Sequence, residues 1–252
     1  MRAPGARALL SIALALCAAF ASAADPAKAQ EWAQRGHTLW KVDKAKAIDA
    51  FTRAIDADPG FYAARYDRAL LCMETDRAEE AMRDLKALEE AGRPEAEKLR
   101  GLMVALADAH TSIAGKALED EDYALALAKL RAVLVYDPNH ADAYTVRGAV
   151  HARQGRTKEA LADYERAMQL DPRSPEPVFN RGLLRLRQGQ HAQAVQDFTR
   201  AIELEPREPS GYRGRAEAYR GLGDAARARR DEEQADRLEA AAGAPAKDVR
   251  AP

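Results

Sequence analysis

Cysteine is nearly absent from this sequence: 252 residues contain two, Cys17 and Cys72. Aromatic residues make up only 6%. Neither sign of charge is in excess, because a charged content of 31% sums to a net charge of −1. That balance removes the basic footprint that nucleic-acid binding requires. No run of β-branched and aromatic residues reads as a strand. None of the five histidines (His37, His110, His140, His151 and His191) lies in H-E-x-x-H or at metal-ligand spacing from a cysteine. C-x-x-C-H, G-x-x-x-x-G-K-[ST] and G-x-S-x-G are missing as well. The glycines of GLGDAARARR, Gly221 and Gly223, follow no strand and read as a turn between helices, not as a phosphate loop. Cys72 lies between Leu71 and Met73, a packing position. No metal, cofactor or catalytic residue is therefore expected, and the chain reads as a non-enzyme.

What is present begins with an N-terminus unlike the rest. MRAPGAR carries two arginines and no acid, ALLSIALALCAA is apolar, and Ala21 and Ala23 supply an A-x-A site. This is the pattern of a cleaved signal peptide over residues 1–23. The apolar run falls short of the roughly 20 residues that span a bilayer, so no membrane span is expected after cleavage. Loss of Arg2 and Arg7 would take the net charge from −1 to −3. The rival reading is a lipoprotein acylated at Cys17, but bulky Leu16 precedes that cysteine where such signals carry a small residue. With Cys17 removed, Cys72 has no partner for a disulfide although the compartment would permit one.

The remainder repeats. TVRGAVHARQG at 145–155, FNRGLLRLRQG at 179–189 and RGRAEAYRGLG at 213–223 follow one another at an equal step. Alanines 126, 160, 194 and 228 keep the same period, as do Ala47 and Ala81. So do Asp137-Pro138, Asp171-Pro172 and Glu205-Pro206, with Asp58-Pro59 closing the first unit. Each unit reads as two amphipathic helices, a turn and a proline stop. The pattern resembles the tetratricopeptide repeat, W-x2-L-G-x2-Y, then A-x3-F, then P. Tyr144, Gly148, Ala160, Tyr164, Ala167 and Pro172 match it, as do Gly182, Ala194, Phe198, Ala201 and Pro206. Trp32, Gly36, Ala47, Phe51, Ala54 and Pro59 match in the first unit, whose turn is one residue short. The resemblance implies an all-α, right-handed superhelical solenoid of about six helix-turn-helix units. They fall near 28–60, 61–93, 94–139, 140–173, 174–207 and 208–241, within a domain at 24–241 followed by a disordered tail at 242–252.

Two details of the repeat read as structural. Gly148 and Gly182 predict a close crossing of the second helix, against Ala160 and Ala194, that offsets the helix-propensity cost of about 1 kcal/mol. Arg68, Arg147, Arg181 and Arg215 are followed, each at the same spacing, by Asp84, Asp163, Asp197 and Asp231. The third unit has Ile113 and Lys129 instead, losing both members together, while the first has Arg35 but Ala50. The recurrence predicts an ion pair between the two helices of a unit. In the last unit Glu232 and Asp236 replace apolar residues, as a polar cap requires, and its RARRDEEQ run suggests solvated pairs such as Arg227–Asp231.

Eleven extra residues precede the third unit. They predict one helix over about 95–118, since eleven residues make about three turns. Leu99, Leu102, Met103, Leu106 and Ile113 would then share a stripe that either packs on the neighbouring unit or pairs with a partner helix or a second copy, giving a homodimer. The family resemblance implies a concave groove, lined by the first helices, that holds a peptide or helix of a protein partner. Matching residues are Tyr66, Leu70 and Met73; Thr145 and Ala149; Phe179, Asn180, Leu183 and Leu186; and Arg213 and Glu217. Only Asn180 matches the set with which some family members clamp a carboxylate, so the groove reads as apolar; Leu183 and Leu186 could instead pack within their own unit. The expectation is an exported scaffold of the bacterial cell envelope, with a lipid-anchored outer-membrane assembly factor or an accessory subunit of an envelope enzyme as alternatives.

Overall fold

The computed structural model describes residues 24–243; the expected signal segment, Cys17 and the tail beyond Gly243 lie outside the described residues. Twelve helices and no strand occur among the described residues. They are α1 (Pro26–Leu39), α2 (Lys44–Ala57), α3 (Tyr62–Glu74), α4 (Ala78–Glu90), α5 (Glu95–Glu119), α6 (Tyr123–Tyr136), α7 (Ala141–Arg153), α8 (Thr157–Leu170), α9 (Glu176–Arg187), α10 (His191–Leu204), α11 (Pro209–Gly221) and α12 (Ala225–Gly243). Taken in pairs they form six helix-turn-helix repeats, an all-α solenoid. The final helix runs two residues into the segment expected as tail.

The helix ends follow from the sequence. Asp58, Asp137, Asp171 and Glu205 each precede a proline, which disfavours helical backbone. All four sit at φ between −128 and −141° with positive ψ, ending α2, α6, α8 and α10. The first three aspartates also accept a hydrogen bond from the backbone N–H two residues on, each at 2.9 Å, closing the turn over the proline. The turn inside every repeat after the first has one left-handed residue. Gly155, Gly189 and Gly223 supply it at φ 71–78°, and Asp76 and Glu121 take the same position at φ 56° and 60°.

The chain divides into two compact units, Met1–Leu106 and Ala107–Pro252. In the first, α1 packs on α2, α2 on α3 and α3 on α4. In the second, each helix from α6 to α12 packs on the next, and the first helices of repeats also touch directly, α7 on α9 and α9 on α11.

The small residues of the first helices have a reason different in detail from the one expected. A Cβ on Gly148 would stand 2.7 Å from the Tyr164 ring, and one on Gly182 3.0 Å from the Phe198 ring. The aromatic four residues after the alanine is the neighbour, more than the alanine. Tyr164 packs also with Leu184, and Phe198 with Ala218, so each ring joins its own repeat to the next. Cys72 is buried and its thiol pKa is pushed up to about 12, chiefly by burial and then by the Glu80 carboxylate.

The recurrent arginines and aspartates meet in all four repeats. Arg68, Arg147, Arg181 and Arg215 each donate from Nε and Nη2 to the two oxygens of the matching aspartate, at 2.6–3.1 Å. Such two-pronged pairing fixes direction as well as charge. In two repeats the remaining nitrogen reaches backwards: Nη1 of Arg68 donates to Thr52 at 3.0 Å, and Nη1 of Arg215 to Thr199 at 3.2 Å. These two arginines therefore tie their own repeat to the preceding one. Arg35, which lacks an aspartate, lies over the Trp32 ring at 5.3 Å. The pair expected between Arg227 and Asp231 does not form. Asp231 is turned inward to Arg215, and Arg227 pairs with Asp224 at 3.2 Å.

The insertion lengthens α5 to 25 residues. Its apolar residues do not make one buried stripe. Leu99 and Met103 are buried, together with Ala107, Ala114 and Ala117, whereas Leu102 and Ile113 are 41% and 43% exposed. At about 100° per residue Leu102, Leu106 and Ile113 fall on a strip beside the buried face, not within it.

Candidate partner-binding cleft

Two first helices of the second unit and the C-terminal end of α5 border one cleft of about 240 Å³. Leu118 of α5, Ala149, Ala152 and Arg153 of α7, Tyr164 of α8, and Glu176, Asn180, Leu183, Leu184 and Arg187 of α9 line it. The floor is small and apolar because Ala149 and Ala152 carry little side chain. The rim is polar: Asn180 offers an amide, and Arg153 and Arg187 stand exposed. Neither arginine forms an ion pair or hydrogen bond among the described residues. Burial raises the affinity of the Glu176 carboxyl for its proton, and Asp142 adds to the effect.

Of the residues expected to line a groove, the structure brings Ala149, Asn180 and Leu183 together here. Leu183 also packs, with Leu186 and Phe179, against the cluster of Ala194, Phe198 and Ala218. Phe179 turns away from the cleft. Its ring meets Phe198 edge-on at 5.6 Å and floors a second hollow of about 170 Å³ with Glu176, Glu205, Glu208 and Gly211. Thr145 is buried, and its hydroxyl donates to Ala141 O at 3.2 Å. Arg213 reaches Asp236 at 3.3 Å and Glu239 at 2.7 Å on α12, so the last helix holds it; Glu217 is exposed. Tyr66, Leu70 and Met73 belong to the first unit and are half-buried there, with Lys98 Nζ 5.8 Å from the centre of the Tyr66 ring.

Residues not expected were Leu118, Ala152, Arg153, Tyr164, Glu176, Leu184 and Arg187. A signal for several was present. Leu118 and Ala152, Ala149 and Leu183, and Arg153 and Arg187 are pairs one repeat period apart. Positions one, four and five after the small residue of the first helix face the cleft repeatedly.

One tetratricopeptide repeat model matches residues 43–96 and 116–175, and a second such model matches 157–209. Together they cover more than half of the chain. The chain belongs to the tetratricopeptide repeat family. No curated protein matches the sequence. Among solved structures, a crystal structure of MamA is 18% identical, covering 82% of this chain and 95% of that one with a TM-score of 0.42. A tetratricopeptide repeat protein from Parabacteroides merdae is 19% identical over 84% of this chain and 80% of that one, TM-score 0.45. The first repeat domain of Spaghetti (RPAP3), solved bound to the HSP90 peptide SRMEEVD, is 20% identical over 48% of this tetratricopeptide repeat chain and 95% of that one, TM-score 0.45. The family supports a protein-interaction scaffold. No helix among the described residues is long and apolar enough to cross a membrane.

Proposed function

We propose that the chain is a non-catalytic scaffold that holds a segment of a partner protein in the cleft between α5, α7 and α9. The observation that carries this reading is a pre-formed hollow whose lining combines small apolar side chains with unpaired polar groups. Apolar burial supplies affinity there, while Asn180 and the arginines orient the occupant. The N-terminal signal pattern supports export, and the Ala- and Arg-rich composition is in keeping with a bacterial envelope protein. In this reading the protein works outside the cytoplasm as a soluble scaffold.

The cleft is tested by filling it. Ala149→Gln adds neutral bulk to the floor while keeping a good helix former, and Asn180→Ala removes the amide. Both variants should keep wild-type helical circular dichroism and lose at least tenfold in recovery of partners cross-linked in the envelope fraction. Unchanged recovery by both would move the binding face elsewhere. Export is tested by the mass of the protein from the envelope fraction, which should begin after Ala23; a chain beginning at an acylated Cys17 would replace the soluble reading with the anchored one.

A further inference from the structure

We infer that the occupant of this cleft is a bipolar segment, carrying an acidic group and a basic group at opposite ends and apolar side chains between them. The inference rests on the proposed cleft and adds the chemistry of its partner. The two ends of the cleft face carry opposite charge. Arg153 and Arg187 end α7 and α9 and line the cleft together. At the opposite end of α9, Glu176 lines both the cleft and the adjoining Phe179-floored hollow, where Glu205 and Glu208 join it. From Glu176 to Arg187 the helix rises about 16 Å, at about 1.5 Å per residue, and this sets the separation of the occupant's charges. Between these ends lie the small apolar side chains of Ala149 and Ala152, Leu183 and the Asn180 amide.

Neither end is closed by an ion pair, although Arg207 lines a shallow hollow with Glu205 and Glu208. Among the described residues no cation pairs with Glu176, Glu205 or Glu208, and no carboxylate pairs with Arg153 or Arg187. Glu176 and Glu208 stand at the N-termini of α9 and α11, and the two arginines at helix C-termini. Those signs suit the helix dipoles; Glu208 Oε1 already accepts from Ser210 N at 3.3 Å, so Glu176 and the two arginines are the charges left open to an incoming partner. Elsewhere in the same unit arginines close to acids are paired, as Arg181, Arg213 and Arg215 show. A partner that brings a carboxylate to the arginines and a lysine or arginine to the glutamates would be complementary at both ends. A uniformly charged segment would be repelled at one of them.

Four fluorescent peptides test this against the full chain by anisotropy. Each has the extended core Leu-Ala-Leu-Ala, flanked by Lys and Glu, by two Lys, by two Glu or by two Gln; six extended residues span about 16 Å. The Lys/Glu peptide should bind about tenfold more tightly than the others at low salt, and the advantage should fade at about 0.5 M salt, where charges are screened beyond a few Å. The surface variant Arg153→Glu/Arg187→Glu should instead prefer the peptide with two Lys. If the Gln-flanked peptide binds as well as the bipolar one and Ala149→Gln abolishes both, the bipolar inference falls while the cleft stands. If binding is insensitive to Ala149→Gln, the cleft reading falls. Failure of all four peptides to bind overturns the inference.

Discussion

The regular recurrence of arginine and aspartate becomes one repeated contact, and its energetics depend on burial. Asp197 is 3% exposed and accepts from Arg181 at 2.6 Å and from Arg185 at 2.8 Å. Removing the carboxylate strands two guanidinium groups, so Asp197→Ala should destabilise by about 3–5 kcal/mol. Arg181→Ala should cost less, because Arg185 still answers Asp197, and the double variant should cost less than the sum. Denaturant melts of the three variants check this; strict additivity would contradict the pairing. His151 makes a second case. Burial holds its pKa below the usual 6.5, against the opposing pull of Asp163, while Arg147 and Arg156 reinforce the depression and Glu159 opposes it. Between the depressed and usual values the unfolded chain binds more protons than the folded one. Stability is therefore full above about pH 6.5 and declines as pH falls toward the depressed value. Melting temperatures from pH 7.5 to 5.5 should fall less for His151→Gln than for wild type, and parallel curves would remove His151 from the account.

At the scale of the helix, period and punctuation were legible in the sequence. The Asp-Pro stops end helices because residues before proline leave the helical region, and the long helix of the third repeat follows from eleven residues making about three turns. Less legible were the contacts that a helical wheel does not reveal. The crossing at Gly148 is set by the Tyr164 ring, and Phe179, an apparent groove residue, is drawn aside by Phe198. Spacing places a residue on a face but does not say which neighbour its ring finds. The turns hid a regularity because two left-handed positions are held by Asp76 and Glu121 where others have glycine. Left-handed backbone costs an ordinary residue about 1–2 kcal/mol; glycine escapes that cost but loses more chain entropy on folding. Glu121→Gly should thus raise stability by about 0.5–1 kcal/mol in denaturant melts, the difference between those two effects. A loss of stability would show that the Glu121 side chain contributes more than its backbone costs.

At the scale of the whole molecule, stability follows from contact between neighbouring repeats. In the second unit Phe198 joins the fifth repeat to the sixth through Gly182, Gly214 and Ala218. Phe198→Ala should cost about 3–5 kcal/mol. Amide exchange should rise in α9–α12 while α1–α4 keep their protection, because each repeat contacts chiefly its neighbours; a uniform rise along the chain would contradict this. The same architecture explains why the cleft was only partly legible. The family resemblance pointed to the first helices, and Ala149, Asn180 and Leu183 do meet there, but Arg153 and Arg187 stand out only once α7 and α9 are seen side by side. Site-specific photocross-linking tests the central claim most directly, with a photoreactive residue placed either at half-buried Leu118 beside the cleft or at exposed Ala162 on α8. The account predicts a discrete protein adduct from position 118 that disappears with Ala149→Gln and does not form from position 162. Equal adducts from both positions, or an adduct from 118 that survives Ala149→Gln, would contradict it.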